Sequence, residues 1–261
     1  MKGTLTVLGS GTSMGVPTIG CQCAVCLSTD PHDKRTRPSV MLQFTDAGGH
    51  PRTILIDTSP DFRAQALRED IRRLDAVLFT HAHADHILGL DDIRAYNFHQ
   101  RAHIPVYGNA TALNTIRKTF HYIFDAEPAP SAIPLINIHE ITGPIELFGV
   151  GFTPVPLLHG KLEVLGYRFG RNAYLTDFSV IPEAAQPLLE GLDVLFLDAL
   201  RDTFHPTHCT VEDALGYAKK FHPKAAYFTH MNHELSHAAT SARLPAGVFL
   251  SYDGLKIEVE L

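Results

Sequence analysis

Three histidines and an aspartate stand within six positions, His81-Ala82-His83-Ala84-Asp85-His86, and no other feature of the chain constrains its fold as strongly. The segment follows directly on the apolar run AVLFT (76–80) and leads into ILGLDDIRAYNF, whose spacing predicts a helix. The four side chains therefore belong to a strand-to-helix turn. Residues two apart on extended backbone point to the same side, so His81 and His83 can grip one metal ion. Asp85 and His86, where the chain turns into the helix, can face a second. Two isolated histidines would carry little weight, but four ligand-type side chains spaced only by alanines read as metal chemistry.

The rest of the chain supplies a frame for such a turn. Strand candidates recur as short apolar or β-branched runs bounded by Gly, Pro and Asp: TLTVLG (4–9), SVMLQF (39–44), TILID (53–57), AVLFT (76–80), IPVYG (104–108), VGFTPVPLL (150–158), EVLGYRF (163–169), AYLTD (173–177), DVLFLD (193–198), AAYFTH (225–230) and LKIEVEL (255–261). Helical stretches are expected at roughly 60–73, 86–98, 109–121, 182–190 and 210–221, the last with Thr210 as N-cap and Asp213 three residues on. Strands mixed with helices imply a layered α/β architecture in which helices cover large sheets. No linker, low-complexity tract or internal period divides residues 1–261, so one domain is expected, and the proline-rich EPAPSAIP (127–134) reads as a loop.

A composition of 45% apolar and 19% charged residues can bury a sizeable core, which excludes the disordered and collagen-like classes. The formal charge of −6, with no basic tail, argues against a stable nucleic-acid complex. Gly and Ser interrupt the opening MKGTLTVLGSGTSMG before a signal-peptide core forms, and no apolar run approaches the roughly 18 residues of a membrane span. A cytoplasmic protein without a membrane partner is expected. Three of the four cysteines, Cys21, Cys23 and Cys26, are too cramped for a disulfide framework and read as a zinc knuckle at about 20–27 in a reducing compartment. A closed tetrahedral site needs a fourth ligand, and THMNHE offers His233. Cys209 reads as an ordinary buried thiol.

The H-x-H-x-D-H segment at a strand end resembles the signature of the metallo-β-lactamase superfamily. Further matches follow in chain order: His159 at the end of VGFTPVPLL, Asp177 in AYLTD and His230 closing AAYFTH. The resemblance implies a four-layer αββα sandwich, two mixed sheets flanked by helices. It implies His81, His83 and His159 on one metal, Asp85, His86 and His230 on a second, and Asp177 bridging both. Two divalent ions, Zn²⁺ or Mn²⁺, would then share a water whose pKa falls from about 15.7 towards 7, giving hydroxide as nucleophile. Asp85 is expected in the catalytic machinery as well as among the ligands.

Four longer segments resemble one branch of that superfamily: G-S-G-T-S-x-G-V-P-x-x-G-C-x-C-x-x-C (9–26), D-T-S-P-D-F-R (57–63), G-L-D-D-I-R (89–94) and T-H-x-x-H (229–233). The branch contains the phosphoribosyl 1,2-cyclic phosphate phosphodiesterase of the carbon-phosphorus lyase pathway. In it the knuckle holds a structural zinc, which implies Cys21, Cys23, Cys26 and His233 as its ligands. Cofactor-biosynthesis proteins of the pyrroloquinoline quinone pathway share a similar knuckle. His208 corresponds to an active-site histidine that is not a ligand and can donate to a phosphoryl oxygen or protonate a departing alkoxide; its bland alternative is a cap on the helix near 210. His205 reads as structural.

These implications describe a dinuclear phosphodiesterase for a small cyclic phosphate such as 5-phosphoribosyl 1,2-cyclic phosphate. The rival readings are a tRNA-processing nuclease, a thioester or lactone hydrolase, and a noncatalytic carrier on the same fold. The expected partner is a small phosphorylated substrate, and a homodimer follows from resemblance only. Residues binding the substrate stay unassigned, because Arg94, Arg168, Arg201 and Lys161 each read more simply as solvated or ion-paired.

Overall fold

β-Branched and aromatic side chains suit a pleated surface covered on one or both faces, and every one of the expected runs contributes a strand. The computed structural model describes residues 1–125 and 133–261. Its strands are β1 (Lys2–Gly9), β2 (Ser39–Thr45), β3 (Pro51–Ile56), β4 (Ala76–Leu78), β5 (Ile104–Gly108), β6 (Ile136–Glu140), β7 (Ile145–Leu147), β8 (Val150–His159), β9 (Leu162–Phe169), β10 (Asn172–Tyr174), β11 (Val194–Asp198), β12 (Ala225–Thr229), β13 (Val248–Leu250) and β14 (Lys256–Glu260). Its α-helices are α1 (Phe62–Arg68), α2 (Ala84–Ile87), α3 (Arg94–Gln100), α4 (Ala110–Thr119), α5 (His121–Phe124), α6 (Val211–Phe221) and α7 (His237–Ser241).

Among the described residues two seven-stranded sheets result, in the orders β14-β1-β2-β3-β4-β5-β6 and β13-β12-β11-β10-β9-β8-β7. Both are mixed: the first turns parallel from β3 to β6 and the second from β10 to β13. Alternation along the strands divides the apolar side chains into layers. Leu5, Val7, Ile54, Ile56 and Leu78 of the first sheet meet Phe152, Tyr167, Phe169, Tyr174 and Phe196 of the second in a central core. The opposite face of the first sheet, with Leu55 and Val77, packs on Phe62, Tyr96, Leu113 and Ile116 from α1, α3 and α4. Leu195 and Leu197 of the second sheet pack on Val211, Ala214, Ala218 and Phe221 of α6. The arrangement is the four-layer αββα sandwich.

Several boundaries differ from expectation for identifiable reasons. The helix expected over 86–98 is broken into α2, a 3₁₀ turn (Leu90–Ile93) and α3. At the break stands Gly89, where any Cβ would run into the carbonyl oxygen of Ser59, so only glycine lets the chain pass that close to the loop. The stretch expected over 182–190 is a 3₁₀ helix (Glu183–Leu189) with Pro187 inside it. AVLFT leaves the ladder after Leu78, and the Thr80 N–H is taken by the Asp57 carboxylate at 2.8 Å. Around Thr210 the reciprocal capping box forms as expected, with Thr210 Oγ1 accepting from Asp213 N at 3.1 Å and Asp213 Oδ2 from Thr210 N at 3.0 Å. The loop expected at 127–134 lies outside the described residues except for its last two positions. Among the described residues no helix is long and apolar enough to cross a membrane.

Candidate metal centre

The chemistry-bearing side chains gather where strands of both sheets end. Asp57 follows β3, the 81–86 turn follows β4, β8 ends on His159, Asp177 follows β10, β11 ends on Asp198 and His230 follows β12. Three of them hold left-handed backbone: Asp57 at φ 65°, Asp177 at 53° and His230 at 60°. Such conformations cost on the order of 1–3 kcal/mol for non-glycine residues and persist where surrounding contacts over-determine them. The segment around His230 is so held: Met231 N donates to Ser10 O at 3.0 Å, Thr12 N to Met231 O at 3.1 Å, and Asn232 N to Leu200 O at 3.0 Å. The buried Arg35 guanidinium adds bonds to the carbonyls of Asn232 at 2.9 Å and Leu235 at 2.7 Å.

One ligand-type atom from each of His81, His83 and His159 lies within 4.8 Å of the others, and the same holds for Asp85, His86, Asp177 and His230. Asp177 stands between the groups. Its Oδ1 is 3.2 Å from His86 Nε2, while its Oδ2 is 3.2 Å from His230 Nε2 and 3.9 Å from His81 Nε2. The rings are aimed by their other nitrogen. His86 Nδ1 donates to Asp57 Oδ2 at 2.7 Å, and His159 Nδ1 to the Thr207 carbonyl at 2.8 Å. The Thr80 hydroxyl donates to Asp57 at 2.8 Å, so it accepts from His81 Nδ1 at 3.0 Å. Each partner leaves Nε2 turned inward, as in a built metal site.

The inward atoms fit cations. Nε2 of His81, His86 and His230 and Oδ2 of Asp85 are buried without a hydrogen-bond partner among the described residues. An orphaned buried polar atom costs about 1–3 kcal/mol, and a cation accepting its lone pair removes that cost. Imidazole nitrogens with carboxylate oxygens suit divalent transition metals. Burial works against a proton on His86, yet Asp177, Asp85 and Asp57 outweigh it and hold its pKa well above the ordinary value. Burial likewise opposes a proton on His230, but Asp177 and Asp85 push its pKa up to about 9. Burial would raise Asp177 and Asp85, and the facing histidines instead hold both well below the carboxylate range. Without cations the second group therefore stores protons, which metal ions displace on binding.

A flanking pair completes the arrangement. His208 Nδ1 donates to Asp198 Oδ2 at 2.7 Å, and the fully buried Asp198 also accepts from Phe178 N at 3.0 Å. The His208 ring lies 4.6 Å from that of His159 and 4.7 Å from that of His230. One ligand-type atom of His208 is within 4.8 Å of those of His159 and Asp177, so the ring stands at the centre. Asp57 and Asp198 carry no role in the sequence reading, although each sits at a strand end like Asp177. Of the basic candidates, Arg94 pairs with Asp91 at 3.0 Å, Arg168 donates to the Leu188 carbonyl at 2.6 Å and Arg201 pairs with Glu234 at 3.4 Å.

The cysteine knuckle is brought together beside this centre. His233 Nδ1 lies 3.2 Å from Cys21 Sγ and 3.5 Å from the sulfurs of Cys23 and Cys26. The Cys26 N–H donates to Cys23 Sγ and, against burial, lowers its pKa to about 6, whereas burial raises that of Cys26. Three sulfurs cannot all ionise in so small a volume without a cation, and a tetrahedral S₃N set suits one. His230 and His233 share one short segment, so the two sites are mechanically joined.

A family model described as "Beta-lactamase superfamily domain" matches residues 52–231. A solved structure, described as a new diphosphatase from the PhnP family, is 53% identical, covers 99% of this chain and 98% of its own, and superposes with a TM-score of 0.91. An octanoyltransferase of Porphyromonas gingivalis is 40% identical over 258 residues, 97% of this chain but 51% of that protein, so the chain spans about half the length of that relative. Coenzyme PQQ synthesis protein B of Methylobacterium nodulans is 32% identical over 221 residues, 74% of this chain and 71% of its own. With this sandwich, these clusters and these matches, the chain belongs to the metallo-β-lactamase superfamily, in its PhnP-like branch.

Proposed function

We propose that the protein is a metal-dependent phosphodiesterase acting on a small cyclic phosphate such as 5-phosphoribosyl 1,2-cyclic phosphate. The observation that carries this reading is the shared Asp177 carboxylate between two ligand groups, faced by the His208–Asp198 pair. In it His81, His83 and His159 hold one ion, Asp85, His86 and His230 a second, and Asp177 serves both. Zn²⁺ or Mn²⁺ suits the pair, and one structural Zn²⁺ suits Cys21, Cys23, Cys26 and His233. When bound, the active-site ions supply charge that offsets the phosphate and acidifies water at neutral pH.

The protein's own groups do the rest. Asp198 holds the His208 ring with Nδ1–H outward, so Nε2 faces the centre and can hold the proton that the departing oxygen requires. Asp57, through His86 and Thr80, keeps two ligand rings from swinging away. Asp85 and Asp177 orient the centre and balance its charge.

A second reading, hydrolysis of a diphosphate linkage, is favoured by the description of the 53% identical structure. The same groups serve it, since the leaving oxygen is then a phosphate. The test is to incubate metal-loaded protein with bis(p-nitrophenyl) phosphate, a ribose cyclic phosphate, a nucleoside diphosphate sugar, an acyl thioester and a precursor tRNA. Ribose cyclic phosphate is expected to turn over fastest. Preference for the diphosphate sugar selects the second reading, and turnover of thioester or tRNA alone overturns both.

A further inference from the structure

The loop between β11 and α6 carries an imidazole that the proposed reaction leaves unused. The ring of His205 lies 5.0 Å from that of His208 and is partly exposed. Its Nδ1 is 3.4 Å from the backbone N–H of Thr207 and 3.2 Å from the Thr207 hydroxyl. A backbone N–H can only donate, so Nδ1 is the acceptor and the ring proton sits on Nε2. Among the described residues no protein group takes that Nε2–H.

The loop is fixed at both ends. The carbonyl of Thr207 holds His159 at 2.8 Å, and a Cβ on Gly160 would meet Thr207 Cγ2 at 2.9 Å, so the loop lies against the backbone just after His159. At the other end Arg201 donates to the carbonyls of Thr203 at 3.2 Å and Phe204 at 2.9 Å and pairs with Glu234 at 3.4 Å, which ties the loop to the segment after His230. A neutral donor is thus held rigidly beside His208, next to the position assigned to the departing oxygen.

We propose that His205 contacts the leaving portion of the substrate, donating from Nε2 to a hydroxyl or phosphate oxygen and so favouring oxygen-rich leaving groups over apolar ones. The inference rests on the phosphodiesterase reading for the side on which the leaving group lies. Atom position separates a substrate donor from a structural role. The amide of Gln reaches where Nε2 lies, and that of Asn where Nδ1 meets Thr207.

The experiment uses metal-loaded wild type, His205→Gln, His205→Asn and His205→Ala, with metal content checked for each. Ribose 5-phosphate binding is read by calorimetry, and kcat/KM is compared for a ribose cyclic phosphate and bis(p-nitrophenyl) phosphate. Loss of one hydrogen bond predicts about tenfold weaker binding in the Ala and Asn variants and less than about threefold in Gln. Turnover of the ribose ester by the Ala variant falls about tenfold, with less than about a twofold change on the p-nitrophenyl ester. Rescue by Asn instead of Gln, equal losses on the two esters, or ribose 5-phosphate binding that is unaffected or absent in wild type overturns the proposal. Wild-type protein that hydrolyses neither ester sinks the phosphodiesterase reading, and the binding series still decides the role of His205.

Discussion

Replacing Asp57 by Asn removes a charge, but almost no volume, from beneath the second ligand group. Asp57 is fully buried and makes three contacts: Oδ1 accepts from Thr80 N at 2.8 Å, and Oδ2 from the Thr80 hydroxyl at 2.8 Å and His86 Nδ1 at 2.7 Å. Its left-handed backbone, φ 65°, suits Asn as well as Asp, so no new backbone cost arises. The amide cannot serve all three donors. With its nitrogen in place of Oδ2 it faces the N–H of His86, and with its nitrogen in place of Oδ1 it faces the N–H of Thr80. One buried donor stays unsatisfied, at about 1–3 kcal/mol, and the bond to His86 loses its charge assistance, worth roughly 1 kcal/mol more. Burial already pushes the Asp57 pKa up, so losing the charge also removes a desolvation cost, and the metal-free fold is spared part of the penalty. The expected result is an approximately 10- to 100-fold loss of affinity for the ion held by His86, with the His81, His83 and His159 site losing less. Competition with a chromophoric chelator resolves the two affinities, and melts of metal-free and loaded protein separate folding from binding. Affinities that both stay within about twofold of wild type, or a larger loss at the His81 site, would refute the assignment of Asp57 to His86.

Asp198→Asn differs, because one oxygen can still serve both Phe178 N and His208 Nδ1 while the amide turns toward His230, whose Nδ1 is 4.0 Å from Asp198 Oδ1. Steady-state kinetics should show kcat lower by about 3- to 10-fold at unchanged metal content, because the bond to His208 is kept and loses only its charge assistance, worth roughly 1 kcal/mol. Cys23→Ala should release about one equivalent of zinc, read with a chromophoric chelator, and lower Tm. In protein stripped of its active-site metals, the raised pKa of His230 contributes stability that is complete below its ordinary value of 6.5 and is lost as pH rises through about 9. Thermal melts across that window should decline for the stripped protein and not, from this source, for the loaded one.

Local pattern and tertiary arrangement divide the site unevenly. His81, His83, Asp85 and His86 were legible because a two-residue period and a helix start are properties of six consecutive positions. His159, Asp177 and His230 are single residues at strand ends, identified only through resemblance. Their convergence depends on β8 to β12 lying in one sheet in the order β12-β11-β10-β9-β8, an order no local pattern encodes. The need for glycine at position 89 has the same origin, since what a side chain there would meet is the carbonyl of Ser59, thirty positions earlier.

What local pattern conceals most completely is the outer nitrogen of each ring. His81 leans on Thr80, His86 on Asp57, His159 on the carbonyl of Thr207 and His208 on Asp198. One of these partners is a main-chain oxygen and two are aspartates at strand ends, none of which carries a periodic signal. They nevertheless decide which nitrogen faces the centre and how firmly it is held. Only the ligand-type residues of the 81–86 turn are therefore written locally, whereas the aim of every ring is a property of the assembled sheets. It follows that the 203–208 loop, which aims His159 from one residue and presents His205 and His208 from its neighbours, can alter its side of the centre without exchanging a single ligand-type residue.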